Sequence, residues 1–226
     1  FPEGDTYKMV VIGDWLAGGM IEGLVEGFST DTRVQIARKH YPVLTLFRGE
    51  FEEDVRALDA SLAKDKVHIA VVLLGTADRV SVRLPNSQRR ALVGSPEWRA
   101  EYARRVDRLV RVLKARNIAV YWVGLPIQRR GEANDDAQTM NEIYRERVLL
   151  NGLRFIDVYK GFADESGEFA AYGPDLTGKS KRLRDPDGLG FTGSGYRKLA
   201  HFVESEVKRD LTQARTERSI PLAGAE

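Results

Sequence analysis

Residues Tyr7–Leu16 read YKMVVIGDWL, an apolar, β-branched run closed by a glycine and an aspartate. A run this short, bounded by a turn signal, suits a strand buried on both faces of a parallel sheet. Three further stretches repeat the pattern: His68–Gly75 (HIAVVLLG), Ile118–Gly124 (IAVYWVG) and Arg154–Tyr159 (RFIDVY), with a weaker one at Arg33–Ala37. Helical spacing lies between them. Over Pro96–Arg116, Trp98, Tyr102, Val106, Leu109 and Leu113 step by three or four along one face, with Ser95 as N-cap, Pro96 at the first helical position and Asn117 as the stop. Ala137–Leu150 and Gly195–Leu211 predict two more helices. Alternating strands and helices imply an α/β fold: a three-layer α/β/α sandwich with about five parallel strands, flavodoxin-like in plan. No linker or repeat interrupts it, so residues 1–211 read as a single domain, and residues 212–226, with Pro221 and Gly224, as a loose tail.

Composition narrows the chemistry. Of 226 residues, 42% are hydrophobic and 30% charged, which favours a packed core over disorder. With 35 basic against 33 acidic residues, the net charge of +2 argues against a nucleic-acid binder. The absence of cysteine excludes disulfides, thiolate metal sites and a cysteine nucleophile, and three histidines (His40, His68, His201) leave little for a histidine metal site. No cofactor or metal is called for. No apolar run approaches the ~20 residues of a membrane span. The chain opens at Phe1 almost directly on a strand, which predicts trimming at the N-terminus, with any signal peptide or anchor outside it.

In open α/β sheets, ligands sit at the carboxyl ends of the strands. Those ends carry Gly13-Asp14-Trp15-Leu16, Gly75-Thr76-Ala77-Asp78, Gly124-Leu125-Pro126 and the loop around Asp187. Together with GSPEWRAEY (Gly94–Tyr102), VYWVGLP (Val120–Pro126), YGPDLTGKSKRLR (Tyr172–Arg184) and FTGSGYRKLAHFVE (Phe191–Glu204), this layout resembles the SGNH (GDSL) hydrolases from about Tyr7 to Leu211, and most closely a bacterial envelope branch. The resemblance implies an ester hydrolase fold with a serine from G-D-S-L, an oxyanion-hole asparagine from G-x-N-D and a base from D-x-x-H. It also implies a periplasmic or cell-envelope location.

At the matching positions the reactive groups are replaced. Trp15 stands for the serine, Ala77 for the asparagine and Gly190 for the histidine; Asp187 alone is retained. The stretch matching the second block, Val43–Leu46, has no glycine nearer than Gly49. An indole N–H donates but cannot attack, and a triad acts as a unit. The resemblance therefore implies a pseudoenzyme with no confident catalytic residue. Its ligand-binding candidates are Asp14, Trp15, Thr76, Asp78 and Asp187. Trp15 stacks on a ligand or, as the favoured reading, plugs a vacated pocket. Asp14, Asp78 and Asp187 meet at one rim, either as turn-shaping acceptors or as a carboxylate site, and Thr76 lacks an activating base. His201 falls on a polar helix face. The partner is a glycan, an acylated small molecule or a protein, in a cleft walled by Ser81–Val93 and Asp164–Gly190. The alternative is a carbohydrate-ester hydrolase or acyltransferase using a non-standard site.

Two patterns mislead. Gly173–Ser180 (GPDLTGKS) spells a P-loop, but Pro186 and neighbouring glycines forbid the helix a phosphate cradle requires, so no nucleotide is expected. The arginines of Pro96–Arg116 are interleaved with Glu97, Glu101 and Asp107 and read as a solvated face, with an anionic ligand as the lesser reading.

Overall fold

The computed structural model describes residues 6–47 and 51–219. Its elements in chain order are β1 (Tyr7–Gly13), α1 (Trp15–Gly19), α2 (Ile21–Gly27), β2 (Val34–Ile36), β3 (Tyr41–Pro42), α3 (Phe51–Lys64), β4 (Ile69–Leu73), β5 (Val82–Arg83), β6 (Arg90–Ala91), α4 (Pro96–Ala115), β7 (Ala119–Val123), α5 (Gly131–Leu150), β8 (Arg154–Ile156), β9 (Tyr172–Pro174), β10 (Ser180–Arg182) and α6 (Gly193–Ser219).

The apolar runs build one parallel sheet in the order β2-β1-β4-β7-β8, with β3 pairing the far end of β1. Met9 lies opposite Ile69 and Gly13 opposite Leu73, so β1 and β4 end level with each other. β4 matches β7 from Ile69 and Ala119, and β7 matches β8 from Tyr121 and Arg154. On one face α2 packs on α6; on the other, α3 meets α4 and α4 meets α5. The strands are continuous hydrophobic runs because helices cover both faces. Met9, Val10, Val11 and Ile12 are fully buried, as are Ala70, Val71, Val72 and Leu73.

The expected helix over Pro96–Arg116 forms for the expected reasons. The Ser95 hydroxyl accepts the Trp98 N–H at 3.3 Å. Asn117, at φ +57°, turns the chain back toward β7. Three expectations need correction. α5 begins at Gly131 rather than Ala137, with Arg130 as an N-cap that makes no side-chain bond. α6 runs from Gly193 to Ser219, so residues 212–219 are helical rather than a loose tail, and residues 220–226 lie outside the described residues. Gly173–Ser180 is a β9–β10 hairpin turn in which the Asp175 carboxylate accepts the Thr177 and Lys179 N–H groups, the donors a phosphate would have needed. Among the described residues, no helix is long and apolar enough to cross a membrane.

Candidate functional site

The strand ends are shaped by two glycines that no other residue replaces. Gly13 has φ +149° and a side chain there would run into the Leu73 carbonyl. Gly75 has φ +130° and a Cβ there would lie 2.5 Å from the Tyr144 hydroxyl. Each glycine lets the chain leave its strand sharply, which sets Asp14 and Thr76 side by side.

Asp14 is buried and fully engaged. One oxygen caps α1 by accepting the Leu16 N–H at 3.0 Å. The other accepts the Thr76 N–H at 3.2 Å and the Thr76 hydroxyl at 2.8 Å. Thr76 therefore does have a carboxylate beside its hydroxyl, contrary to the expectation from sequence. The sharing of that oxygen with a backbone N–H marks it as a clasp between the ends of β1 and β4. Burial raises the Asp14 pKa, opposed by its bonds from Thr76, Leu16 and Ala17.

Asp78 is deeper still. It accepts the Thr45 hydroxyl at 2.5 Å, the Leu46 N–H at 3.1 Å and the Tyr102 hydroxyl at 2.6 Å. The segment Val43–Leu46 is thus pinned to the end of β4 through one carboxylate. Tyr102 continues the network to Tyr144, whose hydroxyl donates to the Leu74 carbonyl at 3.1 Å. Burial pushes the Asp78 pKa up, only partly opposed by its donors, and the Asp14 charge adds to the rise. The unfolded chain thus gives up the Asp78 proton at lower pH than the folded protein. The stability this residue contributes is complete below the ordinary value of about 3.9 and is lost as pH rises through the folded value. Asp78→Asn keeps an acceptor and removes the titration. Its stability to urea is therefore expected to fall less than that of the parent as pH rises above about 4; an equal fall in both proteins would show that the Asp78 carboxyl titrates alike in the folded and unfolded chain.

Asp187 stands apart from this pair. It is exposed, accepts the Leu189 and Gly190 N–H groups at 2.9 Å each, and these bonds lower its pKa. The expected meeting of Asp14, Asp78 and Asp187 as a carboxylate site does not occur: among the described residues no three acidic or histidine groups gather as metal ligands. The two buried aspartates serve the turns.

Trp15 and Gly190 are brought together. A Cβ on Gly190 would lie 3.4 Å from Cζ3 of the Trp15 ring and 2.8 Å from an Asp185 carboxylate oxygen. Trp15 is 47% exposed, so it covers Gly190 rather than plugging a closed pocket, and the favoured sequence reading is corrected on that point. Ala77 is half-buried at the neighbouring strand end. The expected cleft walled jointly by Ser81–Val93 and Asp164–Gly190 is corrected as well: the two segments do not share the groove that the first of them lines. The groove that the Ser81–Val93 segment lines faces α4 and includes none of these strand-end residues.

His201, half exposed on α6, places Nδ1 2.7 Å from Glu204. His68 accepts the Lys8 N–H at 2.8 Å at the start of β4, the opposite end of the sheet. His40 lies against Gly18 on α1, where a Cβ would sit 3.0 Å from its Nδ1.

Two residues of the site carried no sequence signal. Tyr196 of α6 lies over Gly19. Burial and then the charges of Asp185, Asp14 and Asp187 push its hydroxyl up to about 12. Arg184 is fully buried beneath the loop that carries Asp187 and Gly190. Its guanidinium donates to the carbonyls of Ile127 at 2.6 Å, Leu189 at 2.9 Å, Gly190 at 3.2 Å and Gly188 at 3.4 Å. It also lies 4.5 Å from the Phe191 ring centre and 5.0 Å from that of Phe169. Desolvation lowers its pKa to about 10, so it remains a cation at neutral pH. Carbonyl dipoles and aromatic faces, rather than a carboxylate in ion-pair contact, hold that charge.

This fold is that of known hydrolases. A carbohydrate esterase family 3 structure from Talaromyces cellulolyticus superposes with a TM-score of 0.62 at 11% identity, covering 92% of this chain and 99% of that one. A psychrotrophic esterase from Pseudoalteromonas sp. gives 0.60 at 13% identity, over 91% and 98%. A GDSL-like lipase from Bacteroides thetaiotaomicron VPI-5482 gives 0.57 at 14% identity, over 94% and 91%. The architecture is accordingly SGNH-hydrolase-like. No curated protein sequence matches the chain. A family profile does match, over residues 8–206, and the chain belongs to the family described as "Protein of unknown function (DUF459)".

Proposed function

We propose that this chain is a catalytically degenerate SGNH-hydrolase-like domain that binds a cell-envelope glycan, in acylated form, through the exposed indole of Trp15. The observation that carries this reading is the closeness of Trp15 to Gly190. By resemblance these positions belong to a nucleophile and its base, and their nearness supports that alignment. The groups they hold, an indole and a hydrogen, can neither attack a carbonyl nor move a proton. A half-exposed indole at a strand end is instead a stacking platform for the apolar face of a sugar ring. A periplasmic or envelope-associated location belongs to the same proposal and rests on the resemblance.

The other two tryptophans, Trp98 and Trp122, are fully buried, so fluorescence quenching by acrylamide reports on Trp15 alone. Acetylated xylo- and chito-oligosaccharides are expected to protect that emission from acrylamide, and Trp15→Ala to abolish the response. If the emission of the parent protein is indifferent to every saccharide at millimolar concentration, the glycan reading fails.

One observation favours a second reading, ester hydrolysis at a non-standard site: the Thr76 hydroxyl rests on the Asp14 carboxylate at 2.8 Å. Turnover of an activated ester that disappears with Thr76→Val would support it.

A further inference from the structure

An open groove of about 1040 Å³ runs between α4 and the β5–β6 hairpin. Its helix wall presents Arg104, Arg105, Arg108 and Arg111, and its hairpin wall presents Arg83 and Arg90. Three carboxylates share the groove, and each already has a cation. Glu101 is held by Arg104 and, at 2.9 Å, by Arg105. Glu52 lies 3.3 Å from Arg108. Asp107 is taken at 2.7 Å by Arg147, which stands outside the groove. Arg105 is part of the framework, donating to the Leu46 carbonyl at 2.7 Å between the faces of Phe47 and Phe51.

Three cations are left over among the described residues. Among the described residues, Arg83, Arg90 and Arg111 contact no carboxylate: Arg90 donates to the Ser81 hydroxyl and carbonyl, and Arg111 to the Asp107 carbonyl. They stand on both walls, so an anion between them is approached from two sides. A guanidinium carries five N–H donors, and these contacts leave several open. The hairpin tip adds neutral groups, with the amides of Asn86 and Gln88 lining the groove without a hydrogen-bond partner among the described residues.

We propose that this groove is a second ligand site, for an anionic saccharide whose carboxylates are spaced by neutral, hydroxyl-bearing units. The concave shape suits a chain better than a flat lipid surface. The interleaved Glu52, Glu101 and Asp107 oppose a dense polyanion such as polyphosphate, because each would face a phosphate. The unengaged amides offer both donors and acceptors, which sugar hydroxyls use and phosphate oxygens, accepting only, do not. The cations without a carboxylate stand apart, Arg111 on α4 and Arg83 and Arg90 on the hairpin, which presents charge at intervals rather than as one cluster. The site shares no residue with the Trp15 surface and stands or falls separately from it.

The test is calorimetric titration with oligogalacturonate, its fully methyl-esterified form and inorganic polyphosphate, at low and at physiological salt. The parent protein is expected to bind oligogalacturonate, more weakly as salt rises, and not to bind the ester. The variant Arg83→Ser/Arg90→Ser/Arg111→Ser is expected to bind about tenfold or more weakly, the loss of three modest charge contacts. Its thermal transition should be little changed, since among the described residues those side chains hold only exposed hydrogen bonds and no ion pair. No binding by the parent, equal binding by the variant, or polyphosphate bound more tightly than oligogalacturonate would each overturn the proposal.

Discussion

Trp15→Ser, Ala77→Asn and Gly190→His, made together, are expected to yield a measurable esterase toward p-nitrophenyl acetate, with no turnover expected of the unaltered chain. The gain should be on the order of a hundredfold over the uncatalysed rate, the lower end of what a positioned base contributes. The geometry permits it. The heavy atoms nearest a Cβ at Gly190 belong to the Trp15 ring and the Asp185 carboxylate. The first contact goes with Trp15→Ser, and the second is the end of a side chain that can turn aside. Asp187 already sits two and three residues before the Leu189 and Gly190 N–H groups it accepts, in the place from which it would orient the new imidazole. Because a nucleophile without a base gains almost nothing, Trp15→Ser alone should remain silent. A folded triple variant with no activity would sink the reading that these positions are a vacated triad. Turnover by the unaltered chain would sink it equally, and would turn attention to Thr76 and Asp14.

Arg184→Leu is expected to destabilise the protein by about 3 kcal/mol or more, since each buried carbonyl left without a donor costs about 1–3 kcal/mol. Four carbonyls accept from this one guanidinium, three of them within Gly188–Gly190; the Gly188 and Gly190 oxygens also accept the Arg129 and Asp185 N–H groups, whereas those of Ile127 and Leu189 have no other donor among the described residues. Those two left unsatisfied cost about 2–6 kcal/mol together, a range that brackets that figure. For a chain of this size the loss corresponds to a fall of roughly 6–12 °C in Tm. Arg184→Lys should recover only part of it, because an ammonium is a point donor and cannot span the fork the guanidinium fills. The same substitution tests placement of the site. With the loop loosened, Arg184→Leu combined with the restoring triple should lose the esterase activity even at temperatures where the protein remains folded. A thermal transition unchanged by Arg184→Leu would mean that the carbonyls find water, and that the loop does not depend on this residue.

What the sequence determined by itself is the frame. The runs at β1, β4, β7 and β8 are apolar on both faces, and only a parallel sheet covered by helices satisfies such strands. Ser95, Pro96 and Asn117 mark the limits of α4 by local backbone chemistry alone. Which residues stand at the strand ends was also legible, because the side chain that follows a strand is a matter of order along the chain. Other features depended on contacts distant in sequence. The stretch Trp15–Gly27 holds four glycines and has poor intrinsic helix propensity, yet it is helical because Asp14 caps it and because Tyr196, Ala200 and Glu204 of α6 approach where the glycines leave room. α3 carries a signal of its own, the helical spacing of Phe51, Val55, Leu58 and Leu62, although its charged first turn masks the apolar stripe. The buried Asp78 could be read as either a turn acceptor or a ligand until Thr45, Leu46 and Tyr102 were seen to consume its oxygens. Arg184 lay in a basic run indistinguishable from a solvated one, since nothing local says that Ile127 and three phenylalanines close over it. Burial of a polar group is a property of the whole packing, and the partners that make it tolerable are supplied by residues far along the chain.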